Sequence, residues 1–170
     1  MSRLLKILIT STYAAFCNPG FSQTVDPLIG DVTGLDLPRF VSTKSNNINV
    51  RRGPGATYSI DWVYKQAGVP LIITAEYENW RKIADYQGKG GWVHSRLLSG
   101  NRSVIFVSET TILKRKPNEK SPAVAIVKEG VIARLLSISG RWCQVSAGGH
   151  KGWSHRHKVW GLFDYETKKN

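Results

Sequence analysis

The chain of 170 residues contains little acid, little cysteine and no long apolar run beyond its N-terminus. Twelve acidic residues face 24 basic ones, and the net charge of +12 favours an anionic partner without indicating a fold. No later segment approaches the roughly 20 apolar residues that a bilayer-spanning helix needs, so we expect no transmembrane segment. Hydrophobic residues still make up 41% and aromatic residues 10%, which is typical of a globular protein with a core.

The sequence also lacks the common catalytic signatures. It has no glycine-rich phosphate loop before a helix, no serine nucleophile elbow and no closely paired carboxylates. His150, His155 and His157 are close in sequence, but the last two would share one strand face and the first lies in a turn, so we interpret them as a basic patch. We therefore predict a protein that is not an enzyme and has neither a metal site nor a cofactor.

The N-terminus predicts a secretory signal peptide over residues 1–22. Arg3 and Lys6 precede a short apolar run, and Gly20-Phe21-Ser22 offers a cleavage point after Ser22. A buried N-terminal helix is the alternative, but that helix would have no polar face. Lipidation of Cys17 is disfavoured because Phe16 occupies a position where a small residue is wanted. We expect export to the periplasm or the extracellular space.

Cleavage would lower the net charge to +10 and leave Cys143 as the remaining cysteine. An intramolecular disulfide is then impossible, so stability must come from packing. Residues 23–38 contain three aspartates, two prolines and no base, which predicts an extended linker. The charge belongs to the rest of the chain, since residues 39–103 carry ten bases and four acids, and residues 104–170 carry twelve and five.

The remaining chain contains one unit twice. Four motifs recur in order: Phe40-Val41-Ser42 as Phe106-Val107-Ser108, Val50–Pro54 as Leu113–Pro117, Trp80–Ile83 as Trp142–Val145, and Gly91–His94 as Gly152–His155. The repeat predicts domains at 39–100 and 104–165, with a basic tail at 166–170. The first pair of motifs implies that three residues are missing from the second unit between Ser108 and Leu113.

Each unit has the pattern of a small β-barrel. Apolar alternation from Val69 to Ala75, and glycine-rich turns at 85–91 and 147–152, indicate short strands joined by hairpins. Five short strands in about 60 residues cannot form a flat sheet with a covered face, so a bent barrel is expected. The sequence therefore predicts an all-β protein with two tandem five-stranded barrels.

These motifs resemble the bacterial SH3 domain. The resemblance rests on Asn49-Val50-Arg51-Arg52-Gly53-Pro54, Trp80-x-x-Ile83, Gly91-Trp92-Val93-His94 and Leu97-Leu98, and it covers about residues 37–165. The wider pattern is similar to secreted tandem SH3 proteins of alphaproteobacteria. It implies SH3-like barrels and a binding role outside the cytoplasm, generally towards the cell wall. The second unit departs from the pattern, with Lys116 in place of Gly53.

Several repeated residues are expected to be structural. Gly53 and Pro54 would shape the loop after a strand, with one flexible and one rigid backbone position. Trp92 and Trp153 follow the turn glycines Gly91 and Gly152, and each ring would cover a barrel end as part of the core. Cys143 shares a strand face with apolar Val145, which predicts a buried and inert thiol.

Strand parity points to a different group of residues as ligand contacts. Trp80 lies three positions from Ile83, and Trp142 lies three from Val145, so both tryptophans should face outward. Tyr58 and Tyr77 could extend an aromatic shelf for an extended peptide or a sugar ring, and Arg51 and Arg52 could meet carboxylates. The alternative is that these aromatic residues pack the two units together.

Three partner hypotheses follow. The first is a monomeric module that binds cell-wall peptidoglycan through its stem peptides or glycan. The second is an envelope protein–protein adaptor. The third is an electrostatic binder of anionic envelope or host polymers, a mode that weakens steeply with salt. Nucleic-acid binding is disfavoured because the protein is expected to be exported.

Overall fold

A computed structural model describes residues 28–166. The signal peptide predicted at 1–22 lies outside the described residues, as do the last four residues of the predicted basic tail. The described chain consists of antiparallel strands and two single 3₁₀ turns, which confirms the all-β prediction of tandem SH3-like domains. No helix in this part of the chain is long and apolar enough to cross a bilayer.

The first barrel is a single sheet that curls around its own core. Its strands are β3 (Arg39–Thr43), β4 (Ile48–Arg51), β5 (Ile60–Tyr64), β6 (Pro70–Tyr77), β7 (Trp80–Ala84), β8 (Gly90–His94) and β9 (Leu98–Ser99). They follow the order β5-β4-β8-β7-β6-β3-β9 in the sheet, and a 3₁₀ turn at Ser95–Leu97 precedes β9. Inward side chains from five of these strands form one buried cluster, so the sheet encloses a single core.

The second barrel repeats this topology in the order β12-β11-β15-β14-β13-β10-β16, with a 3₁₀ turn at Arg156–Lys158. The strands are β10 (Ser103–Phe106), β11 (Thr110–Lys114), β12 (Ala123–Lys128), β13 (Ile132–Ser139), β14 (Trp142–Ala147), β15 (His150–His155) and β16 (Val159–Trp160). Each sheet has seven strands, two more than predicted. Segments of two residues such as β9 and β16 are too short for alternation to be visible in a sequence.

The structure corrects the alignment of the repeat at its start. Thr43 and Phe106 make the same backbone bonds: each N–H donates to the residue before β6 or β13, at Val69 O or Val131 O, and each carbonyl accepts from Gly68 or Gly130. Thr43 therefore corresponds to Phe106, 63 positions later, and the match of Phe40 with Phe106 is wrong. The second unit has no three-residue deletion.

The segment predicted as a linker is partly folded. Strands β1 (Leu28–Ile29) and β2 (Asp36–Leu37) form a hairpin, and Leu37 is 5% exposed in the first core. Backbone N–H groups of Val32 and Thr33 donate to Glu76 of β6 at 3.1 and 2.9 Å. The aspartate and proline content suggested an extended linker, but these residues are equally suited to a tight hairpin.

Different aromatic residues from those suspected join the barrels. Phe40 of β3 packs edge-on against Trp160 at 5.0 Å between ring centroids and against Phe163 at 4.6 Å. The Arg102 guanidinium lies 5.3 Å from the centre of the Phe40 ring, and its side chain is bound to Glu166 at 2.5 Å. The barrels therefore meet through the start of β3 and the C-terminal segment.

Candidate functional site

Both barrels carry a tryptophan and a histidine side by side at the same place. Trp80 of β7 is the cross-strand partner of His94 in β8, and Trp142 of β14 is the partner of His155 in β15. Direct cross-strand neighbours project to the same face of a sheet, so each pair lies together on the outer face. We call these two clusters the Trp–His pairs.

The pair in the first barrel is open. Trp80 is half-buried, and its ring meets His94 edge-on at 5.3 Å between centroids. The Nδ1 atom of His94 accepts the Arg96 backbone N–H at 3.3 Å, so the imidazole also begins the 3₁₀ turn. Tyr77, which is 51% exposed, lies opposite Trp80 at the β6–β7 hairpin. The predicted neighbours Tyr77 and Trp80 are thus together at one barrel end.

The pair in the second barrel is closed by additional contacts. The rings of Trp142 and His155 stack with 3.9 Å between their centroids, and the rings of His155 and His157 stack with 5.2 Å between theirs. Glu119, from the loop between β11 and β12, places a carboxylate oxygen 2.6 Å from His155 Nε2. The imidazole is therefore held by three neighbouring side chains.

An open groove of about 320 Å³ lies beside this second pair. We call it the outer groove; it is lined by Thr110, Thr111, Ile112, Lys114, Glu119, Trp142, His155 and Lys158. Ile112 is 48% exposed and gives the groove an apolar wall. Two lysines oppose one carboxylate, and that carboxylate is bound to His155, so the groove combines aromatic, apolar and cationic surface.

The core prediction for Trp92 and Trp153 is wrong, whereas the outward prediction for Trp142 gives the right strand face but not its low exposure. Trp142 lies on the outer face but is only 6% exposed, because His155 covers its ring. Trp92 and Trp153 are half-buried and outside the core clusters, since their inward neighbours are Val93 and Ser154, at 0% and 1% exposure. Alternation along β8 and β15 turns these tryptophans outward, next to the basic residues Arg51 and Lys114 on β4 and β11.

The reason for the glycine in the loop after β4 differs from the predicted one. Gly53 does not adopt a left-handed conformation; instead, the Tyr58 ring lies so close that a Cβ on Gly53 would be 2.4 Å from it. In the second barrel Lys116 replaces Gly53 and Ser121 replaces Tyr58. The turns keep the same backbone bonds, from Gly55 N–H to Gly53 O and from Asn118 N–H to Lys116 O. Gly53 is therefore required by the tyrosine ring and not by backbone flexibility.

The structure places the other predicted contacts apart from the Trp–His pairs. Tyr58 is 49% exposed on its own loop, and within residues 28–166 its ring makes no aromatic contact with Tyr77 or Trp80. Arg51 Nη1 donates to the Tyr58 carbonyl at 2.5 Å, and Arg52 pairs with Asp61 at 2.9 Å while staying 71% exposed. Arg51 thus braces the loop, which Pro54 also shapes.

Gly91 and Gly152 are structural residues, because two strands come close together at each of them. A Cβ on Gly91 would meet Val50 at 2.5 Å, and one on Gly152 would meet Leu113 at 2.8 Å. At these points β8 and β15 cross β4 and β11, so only glycine lets the backbones pack this closely.

The one described cysteine is unsuited to nucleophilic chemistry. Cys143 is fully buried, and its thiol contacts the Ser154 carbonyl at 3.5 Å. Burial raises the pKa of Cys143 to about 12, despite the opposing influence of Arg156. A thiolate is therefore negligible at neutral pH. The prediction of a buried thiol is confirmed.

Comparison with known proteins decides the family. The family model for the bacterial SH3 domain matches residues 44–100 and 107–161, one match for each barrel. The chain belongs to the bacterial SH3 domain family. No curated protein matches this tandem bacterial SH3 chain.

Solved structures with similarity to this bacterial SH3 protein are larger. NlpC2 from Trichomonas vaginalis is 8% identical with a TM-score of 0.36, and the match covers 78% of this chain and 51% of that one. An NlpC/P60 family protein from Bacillus cereus is 13% identical with a TM-score of 0.33, covering 71% and 55%. The chain thus spans about half the length of these proteins.

Sequence reasoning did not link five of the groove residues to a site, among them Glu119, Ile112 and Lys158. Glu119, Ile112 and Lys158 lie on separate elements, and no motif links them. One available signal was the replacement of Asn49 in the first repeat by Ile112 in the second, an apolar residue on an outward strand position.

Proposed function

We propose that this protein is a non-enzymatic, extracytoplasmic module that binds cell-wall peptidoglycan through its stem peptides or glycan. Bacterial SH3 domains are typically cell-wall binding modules. The proposal includes export by the signal peptide expected at residues 1–22. The buried, protonated Cys143 supports the non-enzymatic part, since a cysteine hydrolase needs an accessible thiolate.

The outer groove is the observation that carries the proposal. Ile112 and the Trp142–His155 stack line a partly apolar groove of the kind that an extended peptide or a sugar ring can enter. Lys114 and Lys158 lie at the same groove and would pair with the carboxylates of the wall polymer. The basic residues of both barrels would raise the local concentration of the protein at an anionic wall.

Sedimentation with purified sacculi tests this function. The full chain without its leader should pellet with sacculi, and most of the binding should persist from 50 to 500 mM salt because apolar contacts in the groove are not screened. Ile112→Glu should reduce pelleting about tenfold, because it puts a carboxylate in the groove. Ile126→Glu is the matched control, since Ile126 is the cross-strand partner of Ile112, is 67% exposed and lies outside the groove lining.

The result also separates the alternatives. Absence of pelleting at any salt concentration rejects the proposal. Pelleting that disappears by 200 mM salt, with equal effects of both variants, identifies an electrostatic polymer binder instead. The Trp80→Ala variant reports whether the open pair of the first barrel contributes.

An adaptor role is the second candidate, and the exposed strand β12 favours it. Ile126 and Ile112 form an apolar pair on the outer face, at the edge of the sheet. An adaptor surface would use both residues, so both glutamate variants would abolish co-purification of a single salt-resistant envelope protein. Loss of co-purification in the Ile112→Glu variant alone would exclude the adaptor role.

A further inference from the structure

We infer that the first barrel has a second binding site, for a small carboxylate, in the cavity beneath its N-terminal hairpin. This hairpin cavity has a volume of about 250 Å³ and opens to solvent. Its lining consists of Thr33, Leu35, Arg39, Val41, Ile73, Arg81, Ser95, Leu98, Ser99 and Gly100. It is distinct from the outer groove, which belongs to the other barrel.

The charge of this cavity is unbalanced. Arg39 and Arg81 both line it, with side chains 17% and 8% exposed, and its lining contains no acidic residue. Both guanidinium groups share a single carboxylate behind them: Glu76 Oε1 is 2.5 Å from Arg39 and 3.4 Å from Arg81. Two permanent positive charges thus face one negative charge, away from most of the solvent. A buried excess charge is costly, and an anion in the cavity would compensate for it.

Glu76 cannot turn away to change this balance. Its carboxylate also accepts hydrogen bonds from the Val32 and Thr33 backbone and from the Thr33 hydroxyl, at 3.1, 2.9 and 2.7 Å, and its side chain is 1% exposed. Burial alone would raise the pKa of Glu76, but the hydrogen bonds from Thr33 and Arg39 outweigh it and lower the pKa to about 2. The acid is ionised at neutral pH and held in place. Arg81 Nη1 also donates to the Glu78 and Trp80 carbonyls at 2.8 Å, and Arg39 Nη1 donates to the Asp36 carbonyl at 3.4 Å, but these carbonyls carry no net charge, so one positive charge remains without a counter-ion.

The walls define the class of ligand. Val41, Ile73, Leu35 and Leu98 provide apolar surface, while Ser95, Ser99 and Thr33 add hydroxyl groups. A volume below the usual 300 Å³ for drug-sized sites suits a ligand of a few carbon atoms. The chemistry matches a carboxylate on a small apolar body, such as the C-terminal residue of a short peptide.

The second barrel keeps only the counterpart of Arg39 from this arrangement. The cross-strand pair Glu76 and Arg81 is replaced by Ile138 and Cys143. Arg102, the counterpart of Arg39, is neutralised one to one by Glu166 at 2.5 Å. The molecule therefore contains its own internal reference for the experiment.

Amide and side-chain NMR of the full chain without its leader tests the site, with N-acetyl-alanine as probe. We expect shifts at Ser95, Ser99, Gly100 and the Arg81 Nε, with a dissociation constant of about 1 mM, which is a reasonable affinity for so small a ligand. The probe's N-methylamide should bind at least tenfold more weakly because it has no charge. N-acetyl-alanyl-alanine and butyrate distinguish a peptide terminus from a free small acid: the tighter ligand identifies the source.

Gly100 offers a matched pair of variants that leave the arginines intact. A side chain at Gly100 would meet no atom within 4 Å, and its backbone is not left-handed, so substitution should not disturb folding. Gly100→Asp should weaken the probe about tenfold by supplying a competing carboxylate, and Gly100→Asn should leave binding within twofold. The inference is overturned if the probe causes no shifts in the first barrel, if the neutral amide binds equally, or if both variants behave alike. Since no sacculus is involved, that failure leaves the peptidoglycan proposal untouched, and the reverse also holds.

Discussion

The two barrels have the same topology but use one pair of positions in opposite ways. In the first, Glu76 and Arg81 form a buried ionic pair that also holds the N-terminal hairpin. In the second, Ile138 and Cys143 make the same cross-strand contact with apolar atoms. The fold therefore requires only that the space be filled and the polar groups satisfied, and each barrel is free to acquire its own surface.

The outer faces differ as well. The Trp80–His94 pair is open and edge-on, whereas Trp142 is stacked and covered, with Glu119 pinning His155. A pair held by several contacts is more rigid than an open one, so the outer groove beside the pair in the second barrel is the better candidate for binding the wall.

Placing the arginine of the first barrel at the equivalent position of the second barrel should have the largest effect on stability. Cys143→Arg puts a guanidinium into a site that is 0% exposed, with Ile138 in the place of the carboxylate. We expect the second barrel to lose about 4 kcal/mol or more, measured by urea unfolding, while amide exchange in the first barrel stays unchanged. The control Cys143→Val should cost less than about 1 kcal/mol, and an equally stable Cys143→Arg variant would contradict the comparison.

Removal of the Glu76 carboxylate should have the second-largest effect on stability. Glu76→Gln leaves Arg39 and Arg81 without a counter-charge and should destabilise the first barrel by about 3 kcal/mol. Glu166→Gln is the control, because the Glu166 side chain is 23% exposed and forms its ion pair with Arg102; we expect a loss of about 1 kcal/mol or less. Equal losses of stability in the two variants would show that a carboxylate shared by two arginines contributes no more than one that pairs with a single arginine.

The same carboxylate predicts an acid sensitivity of the first barrel. The pKa of Glu76 is lowered to about 2 in the folded state, so its contribution is complete above the unfolded pKa and declines as the pH falls towards 2. Between pH 5 and pH 3 the first barrel should lose about 2 kcal/mol of unfolding free energy through this group. The Glu76→Gln variant should lack this component, and an unchanged pH profile in that variant would reject the assignment.

The smallest effect concerns the loop after β4. Gly53→Lys should cost the first barrel about 1–2 kcal/mol, since the side chain collides with the Tyr58 ring. Adding Tyr58→Ser, as in the second barrel, should recover most of this loss, whereas Lys116→Gly in the second barrel should change its stability by less than about 1 kcal/mol. A double variant as unstable as the single one would show that the backbone and not the ring requires glycine.

Much of the fold was predictable because the constraints are local. Alternation located strand β6, and the glycine-rich turns at 85–91 and 147–152 located the β7–β8 and β14–β15 hairpins. The parity argument placed Trp142 on the correct face but could not foresee its coverage, because His155 reaches it from another strand. The same argument, applied to Val93, would have turned Trp92 outward.

The remaining features depend on contacts between distant residues. The hairpin at 28–37 packs through Glu76, and the shift of the repeat at Thr43 and Phe106 is visible only from backbone hydrogen bonds. The outer groove joins β11, the following loop and the end of β15, so Glu119 and Lys158 could not be linked to Trp142 by spacing.

Titration of the full chain with soluble peptidoglycan fragments, followed by the tryptophan indole and histidine ring signals, tests the central claim most directly. Our account predicts that the signals of Trp142 and His155 shift together, that those of Trp80 and His94 change less, and that Ile112→Glu removes the response while Ile126→Glu keeps it. Absence of any shift at Trp142 and His155 at saturating fragment concentrations, or a response restricted to the first barrel, would contradict it.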